Sequence, residues 1–380
     1  MSGLNLIMKA FHCDACGSLV FFENISCVKC GHDLGFLPEV RDLSALEPDG
    51  GEAFRALSAA ARNRRYHLCL NGQQYQVCNW MVPVDSSDSL CLACQLNRVI
   101  PDLSRNGNLE LWHKLELAKR RIIYRLLQLG LPLTGTSDQA RPGLAFQFLA
   151  DPPNGTPVIS GHARGLITVN LAEADDPERE RRRIILHEPY RTLLGHLRHE
   201  IAHYYWDRLV ADSRWLSDFR ALFGDERQDY AASLQTHYHH GPPADWQARY
   251  VSAYATSHPW EDWAETWAHY FHILDLTETA GSFGMSLRPE HPSAETMTTE
   301  PAREADLANF DCLLAHWFPL TYALNTLNRD MGSPDLYPFA LSEPAIHKLR
   351  FMHEVVRENR PEHRRNEPPL VVAGSAPRGR

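Results

Sequence analysis

The sequence predicts an α+β protein in which a small, cysteine-rich N-terminal region precedes a larger, mainly helical domain with a small sheet. Three observations carry this. Eight of the nine cysteines fall within the first 94 residues. From Asn108 onward apolar residues recur at spacings of three and four, as one face of a helix requires. Between them and the later helical stretches lie two short runs, LAFQFLA and GLITVNLA, whose branched and aromatic residues read as strands. With 380 residues, 44% hydrophobic and 22% charged, the chain is long enough and apolar enough to bury a real core.

Residues 1–103 form the cysteine-rich region. Cys13-Asp14-Ala15-Cys16-Gly17 and Cys27-Val28-Lys29-Cys30-Gly31 are two similar knuckles, and thiolates so spaced can set four sulfurs tetrahedrally around one zinc ion. The glycine after each pair permits a tight turn that points backbone N–H groups at the sulfurs. Cys69, Cys78, Cys91 and Cys94 make a looser set that suits a second closed site. The two sites span about 11–34 and about 66–97, which gives one or two structural zinc ions. Closed sites have no open coordination position, so neither is expected to be catalytic, although either could dock a protein partner. Clustered Cys-x-x-Cys pairs favour metal binding in a reducing compartment over disulfides. Cys312, alone in the apolar FDCLLAHWF, reads as a small buried hydrophobe.

The main domain is expected over 104–358. Leu111, Leu115, Ala118, Ile122 and Leu126 line one helical face, and Gly130 with Pro132 stops that helix. After the two strand-like runs the pattern turns helical again from His187 to about Val210, and most of the chain to Val356 follows. Residues 359–380, rich in Pro and Arg, read as a disordered tail.

His199-Glu200-Ile201-Ala202-His203 lies in that helical stretch. Residues four apart share a face, so both imidazoles can reach one ion, and Glu200 lies beside the water that the ion would hold, placed to act as general base. Leu193, Leu194, Leu197, Tyr204, Tyr205 and Trp206 flank the motif as a buried helix would require. Such a zinc needs a third protein ligand and an open fourth position. Trp260-Glu261-Asp262-Trp263-Ala264-Glu265 offers Glu261 and Glu265 four apart on one face: one can ligate, the other can orient a ligand histidine.

With the paired knuckles, CLACQLNRVIPDLS, RHEIAHYYW, HPWEDWAETWAHYFHI and NRDMGSPDLYPF, nearly the whole chain resembles the bacterial zinc-binding metallopeptidases that carry an N-terminal zinc-ribbon region. In gluzincins generally the downstream ligand is the first Glu of Glu-x-x-x-Asp/Glu. The resemblance therefore implies that Glu261 is the ligand and Glu265 its supporting residue, with the reverse pairing still open. Tyr254 stands seven residues before Glu261, a separation similar to that of the transition-state tyrosine in lethal-factor-like and Pro-Pro endopeptidase gluzincins. That similarity makes Tyr254 the oxyanion-stabilising candidate; Tyr250 and the run His237, Tyr238, His239, His240, read as a polar loop, are alternatives. Zincin resemblance also implies that GLITVNL is an edge strand able to pair with an extended peptide, and NRDMGSPDLYPF, with Arg329, Asp335 and Tyr337, reads as a structural turn.

The expected activity is zinc-dependent hydrolysis of peptide bonds in a peptide or protein substrate. Two rivals are a noncatalytic zinc-ribbon adaptor and a DNA-associated protease of the SprT-like group. An intact Glu200 argues against the first; the net charge of -9 and the WEDWAE segment, where that group typically uses a third histidine, argue against the second. With no long apolar stretch and too short an apolar run at its N-terminus for a signal peptide, the chain is expected to be cytoplasmic, with no membrane partner.

Overall fold

The structure, a computed structural model, describes residues 10–133, 143–152, 154–185, 191–290 and 297–360. The N-terminal region is built of short strands because its ordered positions are set by knuckle turns rather than by long apolar repeats. A two-stranded ribbon, β1 (Phe11–His12) and β2 (Leu19–Val20), precedes a five-stranded antiparallel meander. Its strands are β3 (Asp33–Leu37), β4 (Asp42–Pro48), β5 (Phe54–Ala56), β6 (Arg65–Leu68) and β7 (Met81–Pro83). A bridge between Phe36 and Trp80 brings the outer strands together, so the meander curls toward closure. Two short helices, α1 (Leu70–Tyr75) and α2 (Leu92–Gln95), begin directly after Cys69 and Cys91.

The small sheet of the main domain runs in the order β10-β11-β9-β8, with β8 (Asn97–Val99), β9 (Ala145–Leu149), β10 (Gly161–Ala163) and β11 (Leu166–Asn170). LAFQFLA and GLITVNLA are thus strands, as their composition suggested. GLITVNL is not an edge, however: β11 pairs antiparallel to β10 and parallel to β9, so the outer strand is β10. The tight turn at Arg164-Gly165, both with positive φ, folds β10 back over what would otherwise be the open side of β11. β8, which lies before residue 103, pairs with β9 and so belongs to this second sheet.

Helices make up the rest: α3 (Asn108–Leu129), α4 (Asp176–Ile185), α5 (Leu193–Leu209), α6 (Leu216–Phe223), α7 (Tyr230–His240), α8 (Pro259–Ser282), α9 (Glu304–Ala308), α10 (Phe310–Asp330) and α11 (Glu343–Glu358). α3 carries the predicted apolar face and ends at Gly130, whose φ of 67° is the left-handed conformation that glycine adopts at little cost. The run His237–His240 is the last turn of α7, not a loop, and Cys312 is exposed rather than buried, because it sits on the solvent side of α10. The tail at 361–380 lies outside the described residues. One core joins the two regions: Tyr124 of α3 packs among Phe11, Phe22 and Phe36, with ring centroids 5.3 Å from Phe22 and 5.5 Å from Phe36. Among the described residues no helix is long and apolar enough to cross a membrane.

Candidate metal centre

α5 and α8 build the centre by packing against each other along their aromatic faces. Thr192 caps α5, its hydroxyl accepting from the Gly195 N–H at 3.0 Å. His258 caps α8 by accepting from the Trp260 N–H, and Pro259 occupies the first turn, where its missing N–H costs nothing. The interleaved tryptophans of α8 face α5: Trp263 donates its indole N–H to the Ala202 carbonyl at 2.9 Å, and Trp267 stacks on Tyr205 with centroids 5.1 Å apart. This contact fixes the rotation of α8, which turns Glu261 and Glu265 toward the histidines.

His199, His203 and Glu261 converge, one donor atom from each lying within 4.8 Å of the others. His199 Nε2 is 2.9 Å from Glu261 Oε2 and His203 Nε2 is 3.7 Å from Glu261 Oε1. Donors about 2.0–2.2 Å from a tetrahedral zinc are about 3.3–3.6 Å apart, and the two separations lie on either side of that spacing. Glu261 is buried, and its Oε2 receives no hydrogen bond of good geometry, only the close approach of His199 Nε2, an arrangement that a cation bound between the two would satisfy. Two imidazoles and a carboxylate are the donor set of an open zinc site.

Supporting contacts surround these groups. His199 Nδ1 lies 2.6 Å from Glu265 Oε1, and Ser252 Oγ donates to Glu265 Oε2 at 2.6 Å. The Tyr230 hydroxyl donates to Glu261 Oε1 at 2.7 Å. Glu261 resists ionisation through burial, yet His199 and His203 outweigh this and hold its pKa down at about 2. Burial likewise opposes charge on His199, but Glu261 and Glu265 lift it well above the ordinary histidine value. Glu200 is buried too, and the hydrogen bond from His196 with the nearby histidines keeps its carboxyl below the usual range, ionised. The Tyr254 ring lies 5.8 Å from the His199 ring and 5.9 Å from that of His237, and burial, then the Glu261 charge, keeps its phenol protonated. Tyr250 points elsewhere, its ring 4.2 Å from Lys348 Nζ.

Sequence reasoning missed Tyr230, Ser252, His196 and His162. His196, one turn before Glu200 on α5, carried an i, i+4 signal that could have found it. His162 comes from β10, its ring 6.1 Å from that of His203, and Tyr230 from α7; neither has a sequence spacing that points to the centre. The turn after α10 adds a more distant contact. Arg329 pairs with Asp335 at the surface, while the Tyr337 hydroxyl lies 2.6 Å from Nδ1 of His269, one turn after Glu265.

The eight N-terminal cysteines gather as two sets of four. Cys13 Sγ–Cys30 Sγ is 3.6 Å, Cys16 Sγ–Cys27 Sγ 3.7 Å and Cys78 Sγ–Cys91 Sγ 3.7 Å. That is far beyond a disulfide bond but close to the edge of about 3.8 Å expected for four sulfurs about 2.3 Å from zinc. Gly17 and Gly31 have φ of 71° and 76°, and each donates its N–H to the carbonyl of the first cysteine of its knuckle, closing the turn. The second set lies against α3, where Arg120 gains from the charge of Cys78, Glu116, Cys94 and Cys91 despite its burial.

Residues 108–355 match the family model described as "Putative zinc-binding metallo-peptidase". The chain belongs to that family. Residues 10–105 match a zinc-ribbon domain. The chain is 42% identical over 356 residues, 93% of its own length and 97% of theirs, to proteins described as uncharacterized from Mycobacterium bovis and from two strains of Mycobacterium tuberculosis. No solved structure matches it.

Proposed function

We propose that the chain is a zinc-dependent peptidase of gluzincin type that cleaves peptide bonds with Glu200 as general base. The observation that carries this is the meeting of His199 and His203 of α5 with Glu261 of α8, beside the buried Glu200. In this reading His199, His203 and Glu261 hold the zinc, which supplies Lewis acidity to the scissile carbonyl and to water. Glu265 orients His199 through Nδ1, and Ser252 holds Glu265 in turn. Glu200 takes a proton from the attacking water on its carboxylate and delivers it to the leaving amine, so no covalent intermediate forms. Tyr254, protonated beside His199, donates its phenolic hydrogen to the oxygen on which charge develops. An extended peptide would pair with β10, the outer strand, rather than with β11.

The test is cleavage of a peptide library by wild type and by Glu200→Gln, with zinc counted in both. Glu200→Gln keeps the size and the hydrogen bonding but removes the base, so zinc stays and cleavage disappears. Cleavage at the wild-type rate by Glu200→Gln would refute the proposal.

A further inference from the structure

Glu200 does not stand alone on the inner face of α5. One turn earlier, His196 Nε2 lies 3.1 Å from Glu200 Oε1. The other nitrogen of the same ring, Nδ1, is 3.6 Å from Glu173 Oε2. Arg191 approaches both oxygens of Glu173 at 3.1 Å through one terminal nitrogen. The four side chains alternate in charge along one line: guanidinium, carboxylate, imidazole, carboxylate. Glu173 is only 2% exposed, while His196 is half-buried, with 18% of its side chain open to solvent. Glu173 sits in a turn, Leu171–Ala174, that follows β11 directly and is capped by Asn170. The line therefore ties the sheet that carries β10 to the carboxylate on α5.

We infer that His196, anchored by Glu173 and Arg191, is the positioning residue that holds the Glu200 carboxylate for its work as base. The inference rests on the peptidase reading above. A glutamate side chain has three rotatable bonds, and a general base works only within about 2.6–3.2 Å of the proton that it takes. A hydrogen bond from Nε2 to Oε1 restrains the carboxylate and leaves its second oxygen for the water. Nε2 donates to Glu200 while Nδ1 lies 3.6 Å from Glu173, within reach of its charge; burial opposes charge on the ring, but Glu173 and Glu200 outweigh it and lift its pKa to about 9. No atom of His196 needs to touch substrate for this role.

The experiment has two arms on the full-length chain. In the first, long-range proton–nitrogen spectra of the imidazoles are recorded, and the His196 signals are assigned by their loss in His196→Gln. A protonated Nε2 is expected, with the proton lost or exchanging faster in Glu173→Ala; a bare Nε2 overturns the inference whatever the enzyme does. In the second, His196→Ala lowers kcat by about 10-fold to 100-fold, as the loss of an orienting partner does, with KM, zinc content and melting temperature near wild type. His196→Gln, whose amide can donate from the same reach, recovers part of the loss. A kcat unchanged in His196→Ala, or no recovery in His196→Gln, shows that His196 only fills space. A wild type that cleaves no peptide removes the peptidase reading, and the nitrogen spectra still decide the pairing.

Discussion

Glu261 and Glu265 sit one helical turn apart yet address different atoms of one ring, Nε2 and Nδ1 of His199. That difference sets what each substitution should do. Glu261→Ala removes an oxygen from between the two Nε2 atoms and should leave the site without zinc. Glu265→Ala leaves all three donors but frees the ring of His199, and should weaken zinc by about 10-fold to 100-fold. Competition against a chelator, with the zinc counted, separates these outcomes; an empty site in Glu265→Ala with a filled one in Glu261→Ala reverses the roles. The two tyrosines divide in the same way. Tyr254→Phe deletes a donor beside His199 and should cost about 100-fold to 1,000-fold in kcat with little change in KM. Tyr230→Phe removes a hydrogen bond to Glu261 and should show instead as weaker zinc retention. The spacing of two histidines and of two glutamates is local, so the core of this centre was legible in the sequence. Tyr230, Ser252 and Glu173 reach it from separate segments, and no spacing along the chain announces them.

At the scale of elements, what could be read in advance followed from periodicity, and what could not depended on partners. α3 shows its apolar face in the sequence because a single stripe packs against the core. α7 was misread because an eleven-residue helix with no buried side chain has no stripe to show. β11 reads as a strand from its composition, but only pairing with β10 decides that it is internal. α11 docks by a polar contact that composition does not reveal. His353 Nε2 donates to the Ala308 carbonyl at 3.1 Å, and Nδ1 accepts from the Tyr270 hydroxyl at 3.0 Å, which fixes a neutral ring. Burial, together with nearby arginines and against the Ala308 carbonyl, pushes its pKa from 6.5 to about 4. The folded value lies below the unfolded one, so between them the unfolded chain binds more protons and stability falls as pH falls. His353 alone should account for a loss on the order of 3 kcal/mol once pH is below both values. Melting of wild type and His353→Phe from pH 7 to 4 checks this. The difference between the two should shrink on acidification, while zinc release affects both alike; parallel curves would show that His353 does not titrate in this range.

Across the whole molecule, the cysteine sites and the histidine centre stand on one continuous core, and this governs how the parts depend on each other. Two sets of four cysteines and one set of two histidines and a glutamate imply three zinc ions per chain. The histidine site, with its open position, should lose its ion first to a chelator; folded protein with a single zinc by elemental analysis contradicts this. The cysteine ions should be held harder, because their loss also undoes the packing around them. Cys69 and Cys91 precede α1 and α2, Cys94 lies within α2, and the second set abuts Glu116 and Arg120, buried on α3. The first set holds the turns that carry Phe11 and Phe22 onto Tyr124. Beyond the metal, the N-terminal region supplies β8 to the sheet of the main domain, and Arg41 donates to the Leu127 carbonyl near the end of α3. A chain cut to begin at residue 106 would therefore expose Tyr124, lose the strand beside β9 and leave Arg120 without the Val77 carbonyl that it bonds. Removing the contacts of one such aromatic costs about 3–5 kcal/mol, a large share of the roughly 5–15 kcal/mol that holds a typical domain together. Scanning calorimetry should show one cooperative transition for the full chain and none for the truncated one, and Tyr124→Ala should lower the full-length melting temperature by several degrees. A truncated chain that melts cooperatively near the full-length temperature would mean that the helical region folds without its cysteine-rich neighbour, and that the aromatic contact between them is docking between finished domains rather than a shared core.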